Sequence, residues 1–202
     1  MIELFILIPL ALVASLLSIS VDWRVALGAL WAVHVLVSLW LAAVVTPEVA
    51  LAKAITGTTV CVLLWPSLRG LSAGGQTRTL DLGGPRSTEE PFMLFGALLA
   101  AAAAITLSIA FPLVEGASNF AWYWLALLGL LLIVLSRDVV RVGLGLLLLL
   151  NAVDLVDTMV SRNQAIFAIG ARSAVAIALA FALASAWSYL QDRGGRFLDE
   201  ER

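Results

Sequence analysis

Residues 146–180 read LLLLLNAVDLVDTMVSRNQAIFAIGARSAVAIALA. Two apolar stretches of helical length flank a short polar turn around Arg162, and each carries charge: Asp154 and Asp157 before the turn, Arg172 after it. Asp154 lies eight residues before Arg162 and Arg172 ten after it. In an antiparallel hairpin with about 1.5 Å rise per residue, their depths differ by only about 3 Å. The spacing therefore predicts an Asp154–Arg172 ion pair. Asp157 sits three residues further on, about 60° around the helix and closer to the end of the stretch, where solvation from outside is expected.

Charges this deep in an apolar run matter because the whole chain is built for lipid. Of its 202 residues 62% are hydrophobic and 13% charged, with a mean hydropathy of +1.03, against roughly 45–50% and about 25% in soluble domains. A helix needs about 20 apolar residues to cross a bilayer. Seven such runs occur, at roughly 2–20, 24–45, 49–66, 92–113, 120–136, 139–160 and 165–189. The fold class expected is an all-α polytopic membrane protein, a bundle of about seven transmembrane helices. The first run ends in small residues like a signal peptide, but its start carries Glu3 and no Lys or Arg, so it reads as an uncleaved helix. With seven spans, nine arginines (24, 69, 78, 86, 137, 141, 193, 196 and 202) fall on one side and only Arg162 in a loop on the other. Because basic residues are retained inside, this orients the N-terminus outside and the C-terminus in the cytoplasm.

The one long polar segment, PSLRGLSAGGQTRTLDLGGPRSTEEP at 66–91, has five glycines and balanced charge and reads as a cytoplasmic loop. Prolines punctuate the spans: Pro47 and Pro91 are expected to open them, Pro66 and Pro112 to close them. Trp23, Trp40, Trp65, Trp122, Trp124 and Trp187 fall near span ends, as an interfacial belt would; Trp31 does not. The alanine-rich stretch ALLAAAAAIT at 97–106 suggests a fourth span buried against neighbours, in this chain or a partner, since small residues permit close helix packing in lipid.

An intramembrane charge costs at least about 2.5–3.5 kcal/mol, so such groups pair, face a cavity, or both. The candidates for a proton or ion path are Lys53, Asp154, Asp157 and Arg172, with His34 and Asn151 as neutral companions. Lys53 lies about one turn inside Glu48 and is expected to snorkel outward. His34, near the middle of the second span, either relays protons or hydrogen-bonds a neighbour. Asn151 reads as interhelical glue worth about 1 kcal/mol or less. Two readings of the charges stand: a structural ion pair with two interface-reaching charges, or a translocation path. A fully paired carboxylate is a poor proton carrier. No catalytic or nucleotide-binding motif occurs, Cys61 is the only cysteine and His34 the only histidine, so neither catalytic residues, cofactor nor metal site is expected. A net charge of −2 implies no nucleic-acid partner.

Two segments resemble known membrane subunits. VDWRVALGALWAVHVLVSLWLAAVVTPEVALAKAITG, residues 21–57, resembles the small three-helix module of Mrp-type sodium/proton antiporters and membrane-bound hydrogenases, found at the end of the Mrp A subunit and in the B subunit. Its TPEVALAKAITG, residues 46–57, matches the Pro, acid, Val-Ala-Leu and Gly of that family. GLLLIVLSRDVVRVGLGLLLLLNAVDLVD, residues 129–157, is similar to subunit K of bacterial complex I and the Mrp C subunit, with Arg137-Asp138, Gly145-Leu146 and Asn151-Ala152 in register. The resemblance implies a three-helix antiporter-type module at 1–66, a cytoplasmic loop at 67–91, a linking helix at 92–118, a K-like module at 119–190 and a charged cytoplasmic tail at 191–202. It further implies a multi-pass protein of a bacterial or archaeal inner membrane, partnered by lipid, by large antiporter-type subunits and by other small membrane subunits.

The departures are as informative. The family's intramembrane glutamate in the first module corresponds to Lys53, and those of the K-like module to Leu147 and Arg172. Positions 147, 151 and 154 share one helical face, so Asp154 stands on the face of the missing glutamate, two turns outward. The implied function is an accessory membrane-arm subunit of a complex I-like or Mrp-like cation/proton-translocating assembly, with a structural or rewired role. A self-contained small transporter and a membrane scaffold or assembly protein are the alternatives.

Overall fold

The computed structural model describes residues 2–20, 22–44, 47–73, 89–113, 117–136, 139–160 and 170–186. Among them every regular element is a helix: α1 (Ile2–Ile19), α2 (Trp23–Val44), α3 (Pro47–Ala73), α4 (Glu89–Ala110), α5 (Ala117–Leu135), α6 (Val139–Val160) and α7 (Gly170–Ala186). The protein is an all-α membrane bundle. Five helices, α2 to α6, are long and apolar enough to cross a membrane, and the described apolar stretches of α1 and α7, Phe5–Ile19 and Gly170–Ala186, are shorter. The loop at 74–88, the turn containing Arg162, Trp187 and the tail at 191–202 lie outside the described residues.

Proline marks the helix ends mostly as expected, but not everywhere. Pro47 is the first residue of α3, where its missing N–H is no loss, and Pro112 follows the end of α4. Pro66 does not close α3: the helix runs through it for another seven residues. A proline removes one backbone bond and clashes with the preceding turn, a cost that α3 accepts near its C-terminal end, where Leu68 is buried.

The bundle is centred on α5 and α6, with α1 and α4 against α5, and α2 bridging α1, α3 and α6. Small residues set these contacts. A Cβ on Gly129 would stand 2.7 Å from the Gly145 carbonyl oxygen, and one on Gly145 2.7 Å from that of Gly129, so α5 and α6 cross backbone to backbone. α6 and α7 lie side by side, and their register is readable at two levels. Arg172 bonds Asp154, and eleven residues away on each helix the Leu183 side chain occupies the space a Cβ on Gly143 would need.

The fourth span is buried on one face only. Ala97, Ala100 and Ala104, at helical spacing, are turned inward, and Gly96 admits Leu131 of α5. Leu94, Phe95, Leu98, Leu99, Ile105 and Ile109 face outward. The tryptophans also divide. Trp23 and Trp65 meet edge to face at 5.6 Å, pinning the start of α2 to the late part of α3. Trp40 and Trp124 are buried within the bundle rather than turned to its surface, with Trp124 Nε1 donating to the Ala11 carbonyl of α1 at 3.4 Å. Trp31 is exposed and reaches Thr58 Oγ1 at 3.4 Å.

Candidate functional site: a buried charge network

On α3 the residues Val49, Ala50, Lys53, Thr56, Gly57, Val60, Cys61, Leu64 and Leu68 are buried at helical spacing. Lys53 thus occupies a position on the inward stripe, and its Cα–Cβ bond aims it at the core rather than at the bilayer surface. On α6 the inward face comprises Leu147, Leu148, Asn151, Ala152, Asp154, Leu155 and Thr158. The two stripes converge where Lys53 Nζ donates to Asp154 Oδ2. Among α1 to α6, α3 packs on α2 alone, so the long lysine stem is what carries α3 across to α6.

Arg172 of α7 completes the group. Its Nε donates to Asp154 Oδ1, and its Nη2 lies 2.8 Å from Asp157 Oδ2. The Lys53 and Asp154 side chains are each 3% exposed, that of Arg172 18% and that of Asp157 31%. Two cations and two carboxylates therefore form a neutral cluster that joins α3, α6 and α7 and grades from fully buried at Lys53 to partly accessible at Asp157. Thr158 Oγ1 donates to the Asp154 carbonyl at 2.5 Å, tying off the backbone beneath it.

The expected Asp154–Arg172 pair is present; two other expectations need correction. Lys53 does not snorkel outward, because it lies on the buried stripe of α3 and finds a carboxylate there. Asp157 is not held by water alone, because the Arg172 guanidinium is wide enough to serve two carboxylates one turn apart, as its planar fork of donors allows.

A second polar layer lies one helical turn away. His34 of α2 packs directly on α3 at Gly57, where any Cβ would overlap the His34 Cβ. Its Nδ1 is 2.9 Å from the Leu30 carbonyl, and its Nε2 is 3.2 Å from Asn151 Nδ2. The Leu30 oxygen can only accept, so Nδ1 carries the proton and Nε2 accepts from Asn151, the pattern of a neutral ring with both nitrogens engaged. Asn151 Nδ2 also donates to the Leu147 carbonyl at 2.9 Å. Ser38 and the ring share the helix ladder, Ser38 Oγ donating to the His34 carbonyl at 2.7 Å.

All six sequence candidates thus fall in two adjoining layers. Chemically the charged layer is a clamp: each buried cation has a carboxylate, and Asp154 has a cation on each of its two oxygens. Sequence reasoning named Gly57 and Gly145 only as points of resemblance and passed over Gly129; the close packing at all three was missed. No family model, no curated protein and no solved structure matches the chain.

Proposed function

We propose that the chain is an accessory membrane-arm subunit of a complex I-like or Mrp-like cation/proton-translocating assembly, in which the Lys53–Asp154–Arg172–Asp157 cluster holds helices in register instead of passing protons. The bacterial or archaeal inner membrane is the setting this reading implies, with the C-terminus cytoplasmic and large antiporter-type subunits as neighbours. The observation that carries it is the neutral pairing of Lys53 with Asp154. The position that matches the family's proton-bearing glutamate in the first segment is a lysine, and it is spent on an acid of the second segment. The altered position of the first segment therefore meets an acid two turns outward from that of the second, which supports a joined module whose ionisable groups serve cohesion.

The test is solubilisation from native membranes in mild detergent with an affinity tag on the full chain. The reading expects a stable large complex containing antiporter-type subunits, and an Asp154→Asn variant that retains any residual ion translocation of that complex in proportion to the assembly recovered. Ion transport by the isolated, reconstituted chain would replace it with the small-transporter alternative. Loss of translocation by Asp154→Asn in a fully assembled complex would replace it with a rewired path.

A further inference from the structure

Asn151 has an unmet requirement. Its side chain is fully buried, and Nδ2 directs its two N–H groups to the Leu147 carbonyl and to His34 Nε2. Because the Leu147 oxygen can only accept, the amide cannot be turned over without setting two oxygens against each other. Oδ1 then has no donor among the described residues. A buried carbonyl with no donor carries its full desolvation cost, and such a group in a native structure calls for an unseen partner.

Lys53 has the opposite imbalance. Its ammonium offers three N–H donors, and among the described residues the acceptor it reaches is Asp154 Oδ2. The two deficits belong to one closed circuit. Lys53 bonds Asp154; Asp154 and Asn151 are three residues apart on α6; Asn151 bonds His34; His34 packs on Gly57; and Gly57 returns to Lys53 four residues back along α3. The circuit is one helical turn tall. Three residues of α6 rise about 4.5 Å, close to the roughly 5 Å that a donor–water–acceptor bridge spans at ordinary hydrogen-bond lengths.

From this we infer that the circuit encloses a binding site for one internal water molecule, which accepts from Lys53 Nζ and donates to Asn151 Oδ1, with its second hydrogen directed to the Asp154 carboxylate. Three polar partners are what a buried water normally requires. A metal or alkali cation does not fit the same place, since the Lys53 ammonium would repel it and the Asn151 carbonyl is a single neutral ligand. A direct Lys53–Asn151 bond does not satisfy the site either, because Asp154 holds Nζ one level away. The water joins the His34–Asn151 layer to the charge cluster, so that α2, α3, α6 and α7 share one hydrogen-bonded network. The inference concerns this chain alone and stands apart from the identity of any assembly.

The experiment is a structure of the full chain in lipid nanodiscs at a resolution that shows ordered water, combined with X-ray radiolytic footprinting read by mass spectrometry. A density peak within hydrogen-bond reach of both Asn151 Oδ1 and Lys53 Nζ is expected, together with His34 oxidation several-fold above that of the equally buried Leu41 and Leu125 when each is normalised to its rate in the unfolded chain, because radicals form at the bound water. Asn151→Leu removes the acceptor and should bring His34 down to the level of those leucines; should that variant not fold, the wild-type comparison decides alone. An empty circuit, Lys53 Nζ bonded directly to Asn151 Oδ1, or His34 no more oxidised than Leu41 and Leu125 overturns the inference.

Discussion

Removing the carboxylate of Asp154 is the sharpest perturbation the bundle offers, because the consequence depends on which partner remains. Asp154→Leu strands the Lys53 ammonium, whose side chain is 3% exposed, while Arg172 keeps Asp157 at 2.8 Å. Breaking a buried pair in this way costs about 3–5 kcal/mol, whereas replacing both partners by apolar residues is close to neutral. Lys53→Leu with Asp154→Leu should therefore recover most of the stability lost, leaving the double variant within about 1 kcal/mol of wild type. The outer pair behaves differently. Arg172 and Asp157 are partly accessible, so Arg172→Leu with Asp157→Leu should cost only about 1 kcal/mol. The decisive combination is Arg172→Leu with Asp154→Leu, which removes one opposite pair yet strands the Lys53 ammonium; it should remain about 3–5 kcal/mol destabilised. Reversible unfolding in mixed detergent micelles, followed by tryptophan fluorescence, measures all four variants. Equal destabilisation of the Lys53/Asp154 double and the Asp154 single, or rescue by the Arg172/Asp154 double, would refute the pairing.

Further expectations concern packing. Gly57→Ala drives a methyl into His34 Cβ and should cost about 1–3 kcal/mol by overpacking, read as a lowered midpoint in the same unfolding assay. Gly129→Ala and Gly145→Ala each press on a backbone carbonyl of the facing helix, whereas Gly143→Ala meets only the end of the Leu183 side chain; the first two should lower thermal stability clearly more than the third. The hairpin register places 150 level with 176, so cysteines at Leu150 and Ala176 in a Cys61→Ala background should cross-link through a short bifunctional reagent, and a pair at Leu150 and Ala182 should not.

Most of the architecture was legible because lipid imposes a simple rule: each crossing must be a long apolar helix, and the seven runs coincide with seven helices to within a few residues at most ends. The α6–α7 pair was legible for the same reason, since a short turn between two runs fixes their relative depth. Lys53 was misread because its depth was weighed only against the nearest membrane surface. The direction of a helical residue depends on which stripe it joins, and Val49, Ala50, Thr56 and Val60 already mark that stripe as inward. Asp157 was misread because one-dimensional spacing has no account of a guanidinium wide enough to reach two acids. The close approaches at Gly57 and between Gly129 and Gly145 were hidden since glycine is common in membrane helices for many reasons, and only a partner helix gives one of them its purpose.

A neutral cluster in this position has a physical rationale that neither a single ion pair nor an apolar core supplies. Lipid tails are as apolar as leucine, so burying aliphatic side chains between helices gives little preference for one register over another. α3 feels this most, because among α1 to α6 it packs on α2 alone, where its register rests on the Gly57–His34 fit and the Trp23–Trp65 contact. A slide by one turn would move Lys53 about 5 Å from Asp154, leaving its ammonium without a carboxylate and Asp154 with Arg172 alone. The penalty is steep in distance, as apolar packing is not. The same holds for α7, whose slide would part Arg172 from two acids at once. Charge thus does for register here what hydrophobic burial does in water, and it does so only while cations and carboxylates remain equal in number.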